Sequence, residues 1–451
     1  MKPRAAKGRR QGAVSEEAAR NPAGVSRPLM VQATQVLGAV LSFEHPADAV
    51  LSQHFREHRE IGHRDRGFIA ESVYGVLRRL RWLRRIAGAE AGPRQLLLAW
   101  LARGEGWPMR NFEGLASTTE RDWVAELKAR DSGEGDLSVA ERADLPDWLA
   151  ERLLAGSDEA ALLALAHSLN RPAPLDLRVN LLKSDRDALL ARLRADGFEA
   201  APGALSPQAI RLGGKPALQK HPAFLDGSFE VQDQGSQLLG CLVQPRRGEM
   251  VVDFCAGAGG KTLQLGAMMR STGRLYAFDV SERRLARLKP RMARAGLSNV
   301  HPVLIAHEHD AKLKRLAGKA DRVLVDAPCS GLGTLRRNPD LKWRQSPGSV
   351  AEMVVKQGSI LAAAARLVRP GGRLVYATCS LLEEENDAIA DAFLAAHPQF
   401  RAVAAGEVLA AQGIAIDAGE RLHLSPAAHD TDGFFAAVFE RLSGPADAPA
   451  P

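Results

Sequence analysis

From Gln232 onward the chain alternates short apolar segments with helical segments, and this alternation constrains the fold more than any other feature. Apolar runs of strand length occur at Met250–Asp253, Arg274–Asp279, Val300–Ile305, Arg322–Asp326 and Arg373–Thr378. Strands that alternate with helices form a mostly parallel, doubly wound sheet. Turn residues at Asp430–Gly433 before the apolar segment Phe434–Glu440 predict a terminal antiparallel hairpin, with a closing strand at the sheet edge. The sequence therefore predicts a Rossmann-like α/β domain over residues 236–442.

Further folded units are expected upstream, because 451 residues are too many for one core. Between about Val31 and Leu115, apolar residues recur at helical spacing, which predicts an all-helical domain over residues 31–140. Strand and helix signals also predict a small α/β domain over residues 145–235. Those signals lie at a helix from Leu145, a strand at Leu175–Asn180, a helix at Asp185–Ala195, and strands near Ile210 and Phe229.

The remaining segments are predicted to lack regular structure. Residues 116–143, which include the run Asp131–Asp136, are rich in charged and small residues and predict a linker. Residues 1–30 are predicted to be a basic flexible arm, and residues 443–451 a flexible tail.

The charge balance favours a polyanionic partner. Lys and Arg number 60 against 53 Asp and Glu, which gives a net charge of +7. Within the helical domain the basic residues cluster at Arg78, Arg79, Arg81, Arg84 and Arg85. A nucleic-acid contact and a solvated helix face explain this cluster equally well at this point.

The chain contains four cysteines, and they form no Cys-x-x-Cys pair. This spacing argues against a zinc site and against a disulfide framework, so no metal is expected and the thiols are expected to be reduced. No apolar stretch reaches the length of a membrane span, and the N-terminus lacks the apolar core of a secretory signal. We therefore expect a cytoplasmic protein.

A glycine-rich turn follows the first strand of the large domain, in Val251–Thr262. Glycines let the backbone approach a ligand, and open α/β sheets bind ligands beyond the carboxyl ends of their strands. Asp279 ends the next strand, where a carboxylate accepts hydrogen bonds from ribose hydroxyls. The dinucleotide fingerprint would need a glycine at Thr262, and the spacing to Gly260-Lys261-Thr262 does not fit a P-loop. The turn predicts an adenosine-containing cofactor of another kind.

Two cysteines follow strands of the same predicted sheet. Cys329 lies in the segment Asp326-Ala-Pro-Cys, and Cys379 in the segment Ala377-Thr-Cys-Ser. Both thiols should therefore emerge at the ligand-binding edge, together with Asp326. A lone buried cysteine is usually a small hydrophobic residue, an interpretation that suits Cys241 and Cys255 better. Paired thiols at this edge favour nucleophilic catalysis by a thiolate.

Four motifs carry a resemblance to a known family. They are Asp253–Lys261, Asp326–Ser330, Arg337–Trp343 and Tyr376–Ser380. These motifs, with the segment Asp432–Phe435, resemble the RsmB (Fmu/Sun) family of RNA 5-methylcytosine methyltransferases over about residues 145–441. The segment from Arg64 to Arg78 is similar to the NusB-like RNA-binding domain of that group. The resemblance implies a class I methyltransferase domain, preceded by a ferredoxin-like domain and a NusB-like helical domain.

The resemblance also implies roles for individual residues. Carbon 5 of cytosine becomes nucleophilic only after attack at carbon 6, and Cys379 is implied to make that attack. Cys329 would assist release of the methylated product, and Asp326 with Lys261 would shape the cytosine pocket, with the Asp326 carboxyl at N3. The cofactor implied is S-adenosylmethionine. Its expected contacts are Cys255, Ala256, Gly257, Ala258, Gly259, Gly260, Lys261, Asp279, Asp310 and Asp326, with Glu308 as a rival to Asp310.

The expected partner is RNA, most directly ribosomal RNA, and the protein is expected to act as a monomer. The turn departs from the family at Gly257 and Ala258, where alanine and proline are usual, which puts the cofactor affinity in question. Alternatives are a non-catalytic RNA-binding assembly factor, a transfer RNA methyltransferase, a nicotinamide oxidoreductase and a DNA cytosine methyltransferase. The DNA enzymes characteristically place their nucleophile in a Pro-Cys loop, so the Thr-Cys loop favours RNA.

Deleting the residues before about Leu145 is expected to weaken RNA affinity and its salt dependence more than S-adenosylmethionine binding. The reason is that the basic helical segment lies outside the predicted cofactor crevice. RNA titrations at several salt concentrations, with calorimetry for the cofactor, test this. An equal loss of both affinities would contradict it.

Overall fold

The computed structural model describes residues 24–130 and 137–443. Most of the predicted basic arm, the run Asp131–Asp136 and residues 444–451 of the predicted tail lie outside the described residues. The chain divides into two compact units, Met1–Leu137 and Ser138–Pro451.

The first unit is helical in its described part, as predicted. Its helices are α1 (Arg27–Val40), α2 (Ala47–Glu57), α3 (His63–Arg78), α4 (Leu80–Ala87), α5 (Pro93–Ala99) and α6 (Thr118–Ala129). The apolar face of α3 and α4 is buried at Val73, Val76, Leu77, Leu80 and Leu83. The helical periodicity of the sequence thus corresponds to the packed face of these helices.

The prediction of a linker over residues 116–143 is wrong for the described residues at both ends of this segment, because they form helices. Helix α6 begins there, and helix α7 (Val139–Ala143) follows. Both helices start with a capping box, in which Ser117 pairs with Glu120 and Ser138 with Glu141. Each serine accepts the backbone N–H of its glutamate, and each glutamate accepts that of its serine, so charged residues specify helix starts here. Helix α7 belongs to the second unit, so a truncation that preserves this unit begins at Ser138.

The second unit begins with helices and a small antiparallel sheet. Its first elements are α7, α8 (Asp147–Ala155), α9 (Glu159–Leu169), β1 (Leu175–Val179), α10 (Arg186–Ala195), β2 (Ala200–Pro202), β3 (Ala209–Leu212), α11 (Pro222–Leu225) and β4 (Phe229–Val231). The strands are ordered β2-β3-β1-β4 and pair antiparallel. Strand β2 is not predicted from the sequence, because Ala-Ala-Pro contains no β-branched or aromatic residue.

The large sheet follows, with helices on both faces. Its elements are α12 (Gln234–Val243), β5 (Met250–Asp253), α13 (Gly260–Met268), β6 (Arg274–Asp279), α14 (Glu282–Ala295), β7 (Val300–Leu304), β8 (Ala320–Asp326), α15 (Leu341–Arg344), α16 (Pro347–Ala365), β9 (Val368–Thr378), α17 (Asp387–Ala396), β10 (Phe400–Val403), α18 (Ala405–Ala410), β11 (Leu422–Leu424), α19 (Pro426–His429) and β12 (Phe434–Arg441). All five predicted parallel strands are present.

The strand order is β10-β12-β9-β8-β5-β6-β7, and β11 pairs with β12. Strands β5 to β9 pair in parallel, whereas β12 is antiparallel to β9, β10 and β11. One face of the sheet forms a core with α12, α13 and α14, and the other a core with α16 and α17. The predicted Rossmann-like fold with a terminal antiparallel hairpin is confirmed.

The prediction that the last strand lies at the sheet edge is wrong. Strand β12 lies between β9 and the edge strand β10, and its residues Phe434–Phe439 are all buried. A continuous apolar run is typical of a strand covered on both faces. The edge strand Phe400–Val403, which is four residues long, was not predicted from the sequence. In the described part of the chain, no helix combines the length and apolar character needed to cross a bilayer.

Candidate active site

A cavity of about 590 Å³ opens at the carboxyl ends of the parallel strands. This volume is within the usual range for small-molecule sites. The cavity brings together ten of the predicted residues: Cys255, Ala256, Gly257, Ala258, Gly260, Lys261, Asp279, Asp326, Cys329 and Cys379. The predicted cofactor turn and both cysteine loops therefore share one site.

The glycine-rich turn wraps around the end of β5. Gly259 has φ +89°, which residues with a side chain rarely adopt, and a Cβ atom there would lie 2.2 Å from Leu288 Cδ1, so this position favours glycine. Gly259 shapes the turn but does not line the cavity. The N–H of Gly257 donates to Asp279 Oδ2 at 2.8 Å, and the N–H of Ser281 donates to Asp279 Oδ1 at 2.7 Å. Asp279 thus joins the turn to β6, and its oxygens keep acceptor capacity for a ligand.

Asp310 and the alternative candidate, Glu308, differ in their position relative to the cavity. Asp310 accepts the N–H groups of Ala306 at 2.8 Å and Lys312 at 2.9 Å, so its carboxylate holds its own loop, and it is not part of the cavity wall. Glu308 lines the cavity and accepts a hydrogen bond from Ser359 Oγ at 2.6 Å. The sequence did not distinguish them because they are two residues apart in an irregular loop.

Several cavity residues were not singled out from the sequence. Val280 follows β6 and is 57% exposed, although it is a large apolar residue. Ile305 and Ile360 add apolar surface to the same cavity. An apolar residue left exposed immediately after a strand end is the signal that would have identified Val280. These side chains form a surface suited to a flat apolar group of a ligand.

Asp253 carries a buried oxygen with no partner. Its side chain is 1% exposed, and Oδ2 accepts a hydrogen bond from Thr262 Oγ1 at 2.7 Å. Oδ1 has no hydrogen-bond partner among the described residues. Burial raises the pKa of Asp253 to about 7, against the lowering effect of the Thr262 hydrogen bond and with a further raising effect from Asp326. A ligand that brings a positive charge or a hydrogen-bond donor would satisfy this oxygen.

The two thiols are in contact. Cys329 Sγ lies 3.3 Å from Cys379 Sγ, and the N–H of Cys379 points to Cys329 Sγ at 3.4 Å. The hydrogen bond with Cys379 and burial raise the pKa of Cys329 well above its ordinary value. Cys329 therefore holds its proton more firmly than a solvated thiol, in a position to share it with Cys379.

A lysine–carboxylate pair lies in the same cavity. Lys261 Nζ is 2.7 Å from Asp326 Oδ2, and it lies 5.9 Å from the centre of the Phe434 ring. Burial alone would lower the pKa of Lys261, but the adjacent Asp326 carboxylate outweighs it and the pKa is raised. The lysine thus stays charged, and it fixes Asp326 at the cavity.

Two glycines, neither of them predicted as a site residue, hold the loop that carries Cys379. The N–H of Gly333 donates to the carbonyl of Cys379 at 2.9 Å, and the N–H of Gly433 donates to the carbonyl of Gly333 at 2.8 Å. A Cβ atom on Gly333 would lie 2.2 Å from the Gly433 oxygen. This close backbone contact leaves no room for a side chain at position 333, and the hydrogen bond from Gly333 fixes the Cys379 carbonyl.

Comparison with known proteins agrees with this architecture. A family model described as 16S rRNA methyltransferase RsmB/F matches residues 240–440. A second model, for the ferredoxin-like domain of RsmF/B-like methyltransferases, matches residues 145–219. No metal-binding group of three or more His, Cys, Asp or Glu side chains occurs within residues 24–130 and 137–443.

Individual relatives extend the match over most of the chain. The ribosomal RNA small subunit methyltransferase B of Sodalis glossinidius is 33% identical over 427 residues, which cover 89% of this chain and 92% of that protein. The protein of the same name from Xylella fastidiosa is 33% identical over 351 residues, covering 74% and 80%. Among solved structures, PH0851 is 26% identical with a TM-score of 0.77, covering 92% of this chain and 99% of that one. A methyltransferase homolog from Pyrococcus horikoshii is 27% identical with a TM-score of 0.58, covering 67% and 98%.

The fold and the cavity are those of an RNA methyltransferase that uses S-adenosylmethionine. More specifically, the chain belongs to the RsmB/F family of 16S rRNA methyltransferases.

Replacing Asp253 with asparagine should stabilise the cofactor-free enzyme more at pH 8 than at pH 5. The folded pKa of about 7 lies above the unfolded value, so the folded state binds more protons in between, and stability falls as pH rises through this window. The Asp253→Asn variant has no carboxyl group to lose this proton. Its free energy of unfolding, relative to that of wild type, should therefore increase by roughly 1–3 kcal/mol from pH 5 to pH 8.

Urea unfolding of both proteins at each pH measures the difference. Thr262→Val removes the hydrogen bond that lowers the Asp253 pKa, so it should steepen the pH dependence. Parallel stability curves for wild type and Asp253→Asn would contradict the assignment.

Proposed function

We propose that this protein transfers a methyl group from S-adenosylmethionine to carbon 5 of a cytosine in small-subunit ribosomal RNA. Cys379 acts as the covalent nucleophile, and Cys329 assists release of the product. The observation that carries the proposal is the contact between the two thiols at 3.3 Å, in the same cavity as the Lys261–Asp326 pair.

The residues at the cavity fit the cofactor. The turn Cys255–Lys261 offers backbone groups to it, and the Asp279 carboxylate is placed for ribose hydroxyls. Val280 and Ile305 suit the adenine ring, and the unpartnered Asp253 oxygen suits the ammonium of the methionine part. When bound, S-adenosylmethionine supplies an electrophilic methyl group.

Cys379 begins the reaction as a thiolate that attacks carbon 6 of the cytosine. The new Sγ–C6 bond gives the ring enamine character and makes carbon 5 nucleophilic enough to accept the methyl group. Elimination then passes the carbon 5 proton to solvent water, and the electron pair of that C–H bond restores the double bond as the Sγ–C6 bond breaks and frees the thiolate. Because its raised pKa keeps Cys329 protonated, its S–H can donate to the departing Cys379 sulfur.

Asp326 and Lys261 act on the cytosine itself. The Asp326 side chain is 31% exposed, and its carboxyl can hydrogen-bond or protonate N3, where electron density builds up when the thiolate adds to carbon 6. Lys261 holds this carboxyl in place through the 2.7 Å ion pair. The pair therefore orients the base and stabilises its charge while Cys379 attacks.

An RNA partner is supported by a basic helix beside the cavity. Helix α14 exposes Arg283, Arg284, Arg287 and Lys289, and Arg284 also lines the cavity. Such a surface binds phosphates.

Ribosomal RNA is supported by the names of the relatives. We also propose that the helical domain of residues 31–140 and the domain of residues 145–235 contact RNA, and that the enzyme acts as a cytoplasmic monomer.

Bisulfite sequencing of total RNA from a strain lacking this protein, against its parent, tests the substrate. One 5-methylcytosine should disappear from the small-subunit ribosomal RNA, and it should return when the intact protein is supplied. A loss confined to transfer RNA, or no loss at all, would overturn this assignment.

The two cysteines should differ when each is replaced by alanine. Cys379→Ala should abolish both methylation and the covalent protein–RNA adduct, because the proposed attacking thiol is then absent. Cys329→Ala should permit attack and methyl transfer but slow elimination, so that an adduct resistant to denaturation accumulates on gels. The double variant should form no adduct.

Cys241→Ala is the matched control, since Cys241 is 1% exposed and does not line the cavity. It should leave methylation intact. If Cys329→Ala loses the adduct while Cys379→Ala keeps it, Cys329 is the nucleophile. If neither substitution affects methylation, both thiols are structural and the mechanism is wrong.

A further inference from the structure

A buried carboxylate lies behind the two cysteine loops and has no part in the mechanism above. Glu385 follows the Cys379 loop by a few residues, in the short turn Glu383–Glu385, and it is 0% exposed. It does not line the cavity. A buried carboxylate must be compensated by hydrogen bonds or charges, so its partners indicate its role.

The partners of Glu385 come from both cysteine loops. Oε1 accepts the backbone N–H of Ser330 at 2.8 Å and the side-chain amide of Gln357 at 2.9 Å. Oε2 accepts the hydroxyl of Ser330 at 2.5 Å and the hydroxyl of Ser380. Ser330 directly follows Cys329, and Ser380 directly follows Cys379. One carboxylate therefore joins the residues next to the two thiols.

We propose that Glu385 is a positioning residue that keeps the Cys329 loop in register with the Cys379 loop for product release. The proposal rests on the proposed function, in which Cys379 attacks and Cys329 assists release. Glu385 acts through Ser330 and Ser380 and touches neither substrate nor cofactor.

The two loops depend on Glu385 to different degrees. In the Cys379 loop, the Ser380 N–H donates to Thr378 Oγ1 at 3.2 Å and the Asn386 amide donates to the Ser380 carbonyl at 3.2 Å, so the backbone of Ser380 is held without Glu385. In the Cys329 loop, side-chain amides hold two carbonyls, Gln345 that of Ser330 at 2.8 Å and Gln357 that of Pro328 at 2.9 Å. The N–H of Ser330, however, donates to Glu385, as its hydroxyl also does, whereas Glu385 binds no backbone group of Ser380. Loss of Glu385 therefore frees the Cys329 loop more than the Cys379 loop, and it should affect release more than attack.

Glutamine at this position separates geometry from charge. In Glu385→Gln, the oxygen of the introduced amide can face the two fixed donors, the Ser330 N–H and the Gln357 amide. Its NH₂ group then faces the two hydroxyls, which can turn and accept instead. Glu385→Gln therefore preserves the bridge that the side chain makes between the loops. Glu385→Ala removes this bridge, keeps only the direct contact of the Ser330 and Ser380 hydroxyls at 3.1 Å beside it, and leaves two buried donors without their acceptor.

The experiment compares Glu385→Ala and Glu385→Gln with Glu383→Ala, a matched control in the same turn whose side chain is exposed. Glu385→Ala should lower kcat for RNA methylation by about tenfold or more, with KM for RNA and S-adenosylmethionine affinity within about twofold of wild type. It should also accumulate the covalent adduct, as Cys329→Ala does. Glu385→Gln should stay within about threefold of wild type in kcat, and Glu383→Ala should match wild type.

If thermal denaturation shows that Glu385→Ala does not fold, the Ser330→Ala/Ser380→Ala double variant takes its place. It removes the Oε2 contacts but keeps the bond to the Ser330 N–H, and it should also accumulate adduct. The positioning role is overturned if the folded Glu385 or double-serine variant shows no adduct beyond that of Glu383→Ala. It is also overturned if Glu385→Gln is as impaired as Glu385→Ala, because the charge would then act in the chemistry.

The Cys379 and Cys329 variants, run on the same gels, distinguish this failure from failure of the proposed function. If Cys379→Ala still forms an adduct, the proposed nucleophile is wrong and the role of Glu385 fails with it. If both cysteine variants behave as proposed and Glu385→Ala does not trap RNA, only the positioning role fails.

Discussion

The parallel pairing of β8 with β9 is the constraint on which the site depends. Asp326 pairs in register with Ala377, so the residues that follow the two strands leave the sheet at the same level. Cys329 and Cys379 each follow within three residues, and their sulfurs meet at 3.3 Å. A shift of register by one residue would turn the side chains of one strand to the opposite face of the sheet. The buried strand β12, which pairs Phe435 with Thr378, holds β9 from its other side.

The cavity brings acidic side chains together at one edge of the sheet, and Arg284 and Lys356 also line it. Asp253, Asp279 and Asp326 line it, and Lys261 is paired with Asp326. The remaining carboxylates match a cofactor that carries a sulfonium and an ammonium group. Burial raises the pKa of Asp253 to about 7, so its charged form is the one that a cationic ligand would stabilise most. The cofactor-free enzyme thus keeps a carboxyl in an unfavourable environment that a cationic ligand relieves.

Much of this architecture follows from short-range patterns in the sequence. Apolar runs identify the five parallel strands. Positions at or just after the strand ends identify the turn, Asp279, Asp326 and both cysteines. The short strands β2 and β10 were harder to predict from the sequence, because they contain few strand-forming residues. The capping boxes of α6 and α7 were concealed by a generally charged composition. The central position of β12 depends on long-range pairing, which local periodicity does not encode.

Site residues that act through tertiary contacts were beyond the reach of the sequence. The difference between Glu308 and Asp310 is one of loop direction, and the role of Glu385 depends on Ser330, which lies 55 positions earlier in the chain. Gly333 and Gly433 are separated by a hundred residues, yet their backbones touch. Residue types do not identify such pairs in the sequence, since each of the two residues is common in its own local sequence context.

That glycine contact has a consequence for how the enzyme comes into being. Gly433 immediately precedes β12, and it supplies the N–H that binds Gly333, whose own N–H holds the Cys379 carbonyl. During synthesis on the ribosome, β9 and both cysteines emerge well before this strand does. The cysteine loops therefore lack their backbone support until β12 has left the exit tunnel and inserted between β9 and β10. A chain that stops before β12 would therefore contain both cysteines but not the backbone contact that fixes the loop around Cys379.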